Sequence, residues 1–428
     1  MIQSNELFNF AEKLFPYDRS ITGEGVRKTL REMQRIIPEL KIHSVRSGEN
    51  AFDWVVPQEW KVRSAYIITP DGKKICDFSV NNLHIIGYST SVEAEMSLQE
   101  LQDHLYSLPD QPTAIPYLTS YYERRWGFCI KHKDRIKLKD GKYQVHIDAM
   151  HFDGVLNYGE LLIKGKSNRE VLISTYICHP SLANNELSGP VVCTYLAKWI
   201  SETCILEHTY RFIFVPETIG SIVYLSRNMN LLKERVVAGF NVSCVGDERD
   251  YSYLPSRNGN TLSDRVAKHV LKWSVKSFSS YRWEDRGSDE RQYCAPGVDL
   301  PVCSIMRTKY GAYPEYHTSL DQLGTVVTEA GLYDSFKLYQ NIVKCIEINK
   351  KYRTSILCEP QLGKRGLYPN LSTKIRPKET KMMMNFISWC DGNHSALDIA
   401  ERLEIPLINL QNTINLLVEN RIVSQETE

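Results

Sequence analysis

Apolar residues recur at helical spacing in the first 37 positions: Leu7, Phe10 and Leu14, then Val26, Leu30, Met33, Ile36 and Ile37, around a break at Pro16 and Gly23. The spacing predicts helices on either side of that break. From about 45 to 145 the texture changes to short runs (AFDWVV, SAYIIT, HIIGYS, YQVHI) punctuated by turn residues such as Pro70-Asp71-Gly72 and Asp140-Gly141. These predict a β-rich module, with one helix over SLQELQDHLYSL at 97–108. Between about 145 and 355 continuous apolar runs alternate with helical segments. VLISTYIC (171–178), YRFIFV (210–215), VVAGFNVSCV (236–245) and LPVCSIM (300–306) are the runs. Strands apolar on both faces predict an α/β sheet covered by helices on each side. Residues 356–376 read as a Pro-, Gly- and Lys/Arg-bearing linker. Three short helices and a strand-like IVS come after it, the layout of a winged helix.

Length and composition narrow this picture. A chain of 428 residues has room for two to four domains at roughly 100–200 residues each. The 52 Lys+Arg balance 51 Asp+Glu, so general electrostatic attraction to nucleic acid or anionic lipid is excluded as the main mode of binding. The 11 Cys form no CxxC pair, which excludes a zinc ribbon and a thioredoxin-like site. No basic segment leads into an apolar one at the N-terminus, and no run reaches the roughly 18–20 apolar residues of a membrane span. The expectation is a reduced, cytoplasmic protein without a membrane partner.

Sites in open α/β sheets lie beyond the carboxyl ends of the strands. The four apolar runs are followed by His179, by Glu217, by Asp247-Glu248 and by a loop holding Tyr316-His317. Imidazole and carboxylate are zinc's ligands, and a catalytic zinc keeps one position for water. Each residue also has a plainer reading, as a hydrogen-bonded strand end, a helix cap or a solvated loop. Their placement at one topological end favours a metal site. Asp289, Glu290 and Arg291, in the loop before the last run, can bind substrate termini or form a salt-bridged turn. Tyr316 and Asp321 can orient His317, because a zinc-bound imidazole usually donates its other N–H to an acceptor.

HPSLANNELSGP at 179–190, PETIGS, and GSDERQY through LPV to YHTSLD resemble the zinc aminopeptidase fold shared with glutaminyl cyclases. LFPYDRSITGEGVRKTL, FDWVVPQEW and IPYLTSYYERRWGFC extend the resemblance to a bacterial aminopeptidase-like family with a C-terminal winged helix. Members of that family are often assigned to polysaccharide or secondary-metabolite pathways. The resemblance implies a mixed sheet with helices on both faces, formed by 1–45 and 130–355. It also implies an inserted β-rich domain at 46–129 and a winged-helix domain at 365–428. Set against zinc aminopeptidases, the resemblance implies that His179 and His317 match zinc ligands and Glu217 the general base. The zinc-bridging carboxylate is replaced by Asn185, the second Glu of the pair by Thr218, and the third-strand Asp by Ser243, with Asp247 four residues on as a substitute. Asn185 has no charge with which to hold two dications together. The expectation is one zinc per chain on His179, Asp247 and His317, with Asn185, Glu186 and Asp321 as further ligands or supports. The function expected is hydrolysis of an amide bond in a small peptide or amino-acyl substrate. Glutaminyl-cyclase-like acyl transfer and a non-catalytic binding or regulatory protein stay open beside it. The inserted module can cover the site or form a homo-oligomer interface.

A DNA-binding regulator is the rival reading, and charge bears on it. Residues 365–428 hold seven basic against eight acidic residues, where a duplex reader clusters positive charge. Asn409, Gln411, Asn412 and Asn415 can pair with adenine edges but also suit an ordinary polar helix face. Nucleic acid is therefore not expected as a partner. The aromatic segment IPYLTSYYERRWGF suits core packing and cleft lining better than base stacking.

Overall fold

A computed structural model describes residues 2–202, 206–367 and 378–426. The chain forms two compact units, Met1–Asp264 with Phe278–Phe336 and Arg265–Ser277 with Lys337–Glu428.

The first unit is built on an eight-stranded mixed sheet. Its strands, in spatial order, are Lys41–Arg46, Val155–Ile163, Thr209–Val215, Glu170–Tyr176, Val236–Asn241, Val302–Met306, Ser252–Leu254 and Ser279–Ser280. The four central strands are mutually parallel and are the four apolar runs of the sequence. Every residue of the first two runs, 170–176 and 209–215, is buried, as expected for strands covered on both faces. Helices Ser4–Leu14 and Glu24–Ile36 flank the break at Pro16 and Gly23. Helices Ser188–Ser201 and Ile219–Arg235 follow the first two central strands.

The β-rich module extends past its expected boundary of 129. Strand Lys142–Phe152 pairs with both Glu59–Ile68 and Val92–Ser97, and Lys74–Ile75 completes a four-stranded sheet. The expected helix over 97–108 shortens to Leu98–Gln102, closed by a capping box at Ser97. One apolar core joins this sheet to the large one: Trp60, Ile67, Tyr143 and Val145 belong to the same cluster as Leu172, Ile213 and Tyr224.

The second unit holds an antiparallel sheet ordered Asp391–Ser395, Lys351–Thr354, Val423–Gln425, with helices Lys378–Ile387, Ala396–Arg402 and Gln411–Glu419. The unit starts well before residue 365, because Lys351–Thr354 is its central strand. Ser395 caps its helix as expected, with Asp398 closing a capping box. Residues 368–377 of the linker lie outside the described residues. Among the described residues no helix is long and apolar enough to cross a membrane. The ten described cysteines are free, and all but Cys358 are buried.

Candidate functional site

Two parallel strand ends carry the first residues of the site. Strand Glu170–Tyr176 runs on into Cys178 and His179, and Thr209–Val215 into Glu217. The Glu217 amide donates to Cys178 Sγ at 3.1 Å, tying the two ends together. His317 arrives from the loop after Val302–Met306. Ser181, Thr218 and His317 all adopt positive φ, at 44°, 64° and 55°. Left-handed backbone is unfavourable for residues with a Cβ, most of all for β-branched Thr218, and such strain concentrates at functional sites.

Buried groups fix His179 from behind. Its Nδ1 lies 2.9 Å from Glu186 Oε2, and Arg19 Nε donates to its carbonyl at 3.1 Å. Arg19 and Glu186 have fully buried side chains 3.7 Å apart. His179 Nε2 is thereby left toward Glu217, 3.6 Å from Oε2. The two imidazole rings stand 5.5 Å apart, with the Tyr117 ring 4.9 Å from His179 and 5.2 Å from His317. Tyr316 stacks on His317 at 3.9 Å, and His317 Nε2 is buried with no hydrogen-bond partner. His179, Glu217, Thr218, Arg291 and His317 line one cleft of about 330 Å³, together with the aromatic residues Trp54, Tyr117, Tyr121 and Tyr122.

Burial dominates the electrostatics. It lowers both imidazoles to about 3, with Arg19 adding to the effect on His179 and His179 to that on His317. Both rings are therefore neutral at physiological pH, the form that binds metal. Burial, reinforced by Asp289, raises the Glu217 carboxyl to about 8. Asp289 is raised to about 7 by burial, against the lowering effect of hydrogen bonds from Thr218 N–H and the Ser221 hydroxyl. A bound cation reverses this direction for the carboxyls it faces.

The remaining expected site residues have other roles in the structure. Asp247 accepts four hydrogen bonds, from Asn184 Nδ2, the Arg249 and Thr308 amides and the Thr308 hydroxyl, which fill its lone pairs. It braces a loop, which corrects its expected place as a zinc ligand beside His179 and His317. Asp321 accepts from the Asn184 and Asn185 amides and the Tyr313 hydroxyl, so it anchors the π-helical turn Ala183–Leu187 and does not orient His317. Glu290 is fully buried and accepts from the Gly287 and Ser288 amides and the Tyr310 hydroxyl, which corrects its expected contact with substrate. Asn185 Oδ1 accepts from the Tyr176 hydroxyl at 3.2 Å, and its Nδ2 is buried without a partner. Arg19, Asn184 and Tyr117 carry no signal of their own in the sequence pattern. Arg19 and Tyr117 do stand inside the segments that bear the family resemblance, LFPYDRS and IPYLTS.

Two of the donors present, His179 Nε2 and Glu217 Oε2, stand near the spacing of zinc ligands. Ligands at about 2.0–2.1 Å on a tetrahedron stand roughly 3.3 Å apart. The 3.6 Å between His179 Nε2 and Glu217 Oε2 is close to that, whereas His317 Nε2, buried without a hydrogen-bond partner, does not come within 4.8 Å of both. Glu186 on Nδ1 is the usual outer support of a zinc-bound imidazole. Cys178, His179 Nδ1 and Glu186 also cluster within 4.8 Å, but the Arg19 guanidinium beside Glu186 opposes a cation there.

The sheet and its strand-end cleft define an aminopeptidase-like α/β protein. The zinc aminopeptidase BSAP of Bacillus subtilis has the same fold, with a TM-score of 0.58 at 12% identity over 80% of this chain and 95% of that one. The family described as Domain of unknown function (DUF4910) matches residues 8–349, and the chain belongs to it. A winged helix-turn-helix profile matches residues 350–425. A Clostridium acetobutylicum protein, named for polysaccharide biosynthesis with an aminopeptidase-like domain, is 43% identical over 397 residues, 92% of this chain and 90% of its own. The crystal structure of a candidate peptidase from Clostridium acetobutylicum superimposes with a TM-score of 0.92 at 39% identity, covering 99% of this chain and 96% of that one.

Proposed function

We propose that this chain is a zinc-dependent hydrolase of amide bonds, with His179 and His317 holding one ion and Glu217 acting as general base. The observation that carries this reading is the convergence of two buried, neutral imidazoles and one carboxylate on a single cleft. Zinc bound there supplies Lewis acidity toward a carbonyl and lowers the pKa of water to about 7. Glu217 takes the proton from the attacking water and returns it to the leaving nitrogen. Glu186 and Arg19 hold His179 in the orientation that presents Nε2.

Mass spectrometry of protein purified without added zinc is expected to find one zinc per chain. Glu217→Gln is expected to keep that zinc and to lose about 10²–10⁴-fold in turnover. Two equivalents of zinc would overturn the single-ion assignment, and none after supplementation would overturn the site. The 3.6 Å contact favours a second reading, in which Glu217 is the third ligand. Loss of zinc in Glu217→Gln would select it.

A further inference from the structure

The cleft that holds the proposed reaction is unequally provided with charge. Among its described lining residues Glu217 is the one carboxylate, and the chemistry uses it. Arg291 is the one fixed cation there. It is exposed, and Nη2 donates to Thr218 Oγ1 at 2.7 Å. No carboxylate of the described residues forms an ion pair with it, so most of its five N–H donors stay available to a ligand. The neighbouring acids are turned to structural use. Asp289 accepts from Thr218 N–H and the Ser221 hydroxyl, and Glu290 from the Gly287 and Ser288 amides. Asp289 keeps Oδ2 buried and unpartnered but does not line the cleft, so a substrate's free α-ammonium group would find only Glu217 among the lining carboxylates, and the chemistry uses that one. A carboxylate would meet a planar guanidinium able to bind it through two parallel hydrogen bonds. The same lining offers apolar contact, with Trp54 and Tyr122 packed edge to face at 5.6 Å and yet 38% and 54% exposed. Exposed aromatics beside a polar cleft are a signature of ligand contact.

Resting on the hydrolase reading, we propose that the substrate class is the N-acylated amino acid. Its carboxylate pairs with Arg291 and its apolar portion lies against Trp54 and Tyr122. In the reaction, water's oxygen bonds to the acyl carbon and the C–N bond breaks with its electron pair staying on nitrogen. Both water protons end on that nitrogen, giving a carboxylate and the ammonium form of the amino acid.

Calorimetric titration of the full chain with N-acetyl-L-phenylalanine and with L-phenylalaninamide tests this, because the two share a side chain and differ in which end is charged. The acetylated acid is expected to bind at least about tenfold more tightly, the effect of one charge-assisted hydrogen-bonded pair. Arg291→Gln is expected to remove that preference and Arg291→Lys to restore part of it, with unchanged melting temperatures because the side chain is exposed. Tighter binding of the amide, no measurable binding of the acetylated acid, or a preference that survives Arg291→Gln would each overturn the proposal. Each titration is run in the Glu217→Gln background, where turnover is lost, so that the heats report binding and the test fails separately from the hydrolase reading, which falls on zinc content and hydrolysis.

Discussion

Asp18 sits beside Arg19, with its carboxyl raised from 3.8 to about 7 by burial against the opposing charge of Arg19. Between those values the folded chain keeps a proton that the unfolded chain has released, so unfolding releases a proton and stability falls as pH rises. The contribution is fully present below about pH 4 and is gone above about pH 7. Melting temperature measured from pH 5 to pH 8 is expected to fall more steeply in the natural protein than in Asp18→Asn; parallel curves would refute the assignment. The same residue scale separates the legible part of the candidate site from the rest. His179, Glu217 and His317 announce themselves because each comes after an apolar run, and strand ends are where such sheets place chemistry. Asp247 comes after such a run as well. Its lone pairs go to Asn184, Arg249 and Thr308, partners that no local pattern reveals. Arg19 reaches His179 across 160 positions of chain, so its role as a support of that imidazole exists only after folding.

Among the elements, helix Ser188–Ser201 and the π-helical turn before it set the depth of the site. Gly189 lies where a Cβ would stand 2.4 Å from both Thr175 Oγ1 and the Val242 carbonyl oxygen. Neither atom is the end of a flexible side chain, so Gly189→Ala must push the helix start away from the sheet. The expected cost is about 1–3 kcal/mol in chemical denaturation, as for other overpacked cores. A cost near zero would mean that the helix start adapts freely. The four parallel strands and their helices are readable because long apolar runs and helical spacing are local signals. SLQELQDHLYSL predicts too long a helix. Its apolar spacing continues past Gln102, but Leu105–Tyr106 pairs as a strand with Phe128–Cys129. Tertiary pairing overrides helical propensity there.

For the whole molecule, charge balance makes a prediction about the winged-helix unit. Seven basic against eight acidic residues over 365–428 predict weak binding to random duplex, but the unit as folded, 265–277 with 337–428, holds 17 Lys+Arg against 10 Asp+Glu, so its charge does not exclude that binding and a salt titration decides. A steep loss of tight binding between 50 and 200 mM salt would revive a DNA-binding role. Domain boundaries are the least legible feature. The β-rich module shares one apolar core with the large sheet through Trp60, Tyr143 and Ile213, and the second unit recruits Arg265–Ser277 from the middle of the chain. His269 there accepts a hydrogen bond from the Leu407 amide and contacts Glu401, links between residues more than 130 positions apart. Sequence by itself determined the α/β class, the four covered parallel strands, the winged-helix layout and three residues of the candidate site. Each of these is written in local periodicity or in the residues placed just after an apolar run. Tertiary structure decided that Asp247, Asp321 and Glu290 serve the scaffold, that Arg19 and Glu186 aim His179, and that Arg291 stays open to a ligand. A polar group's role depends on which partners fill its hydrogen bonds, and those partners come from distant parts of the chain.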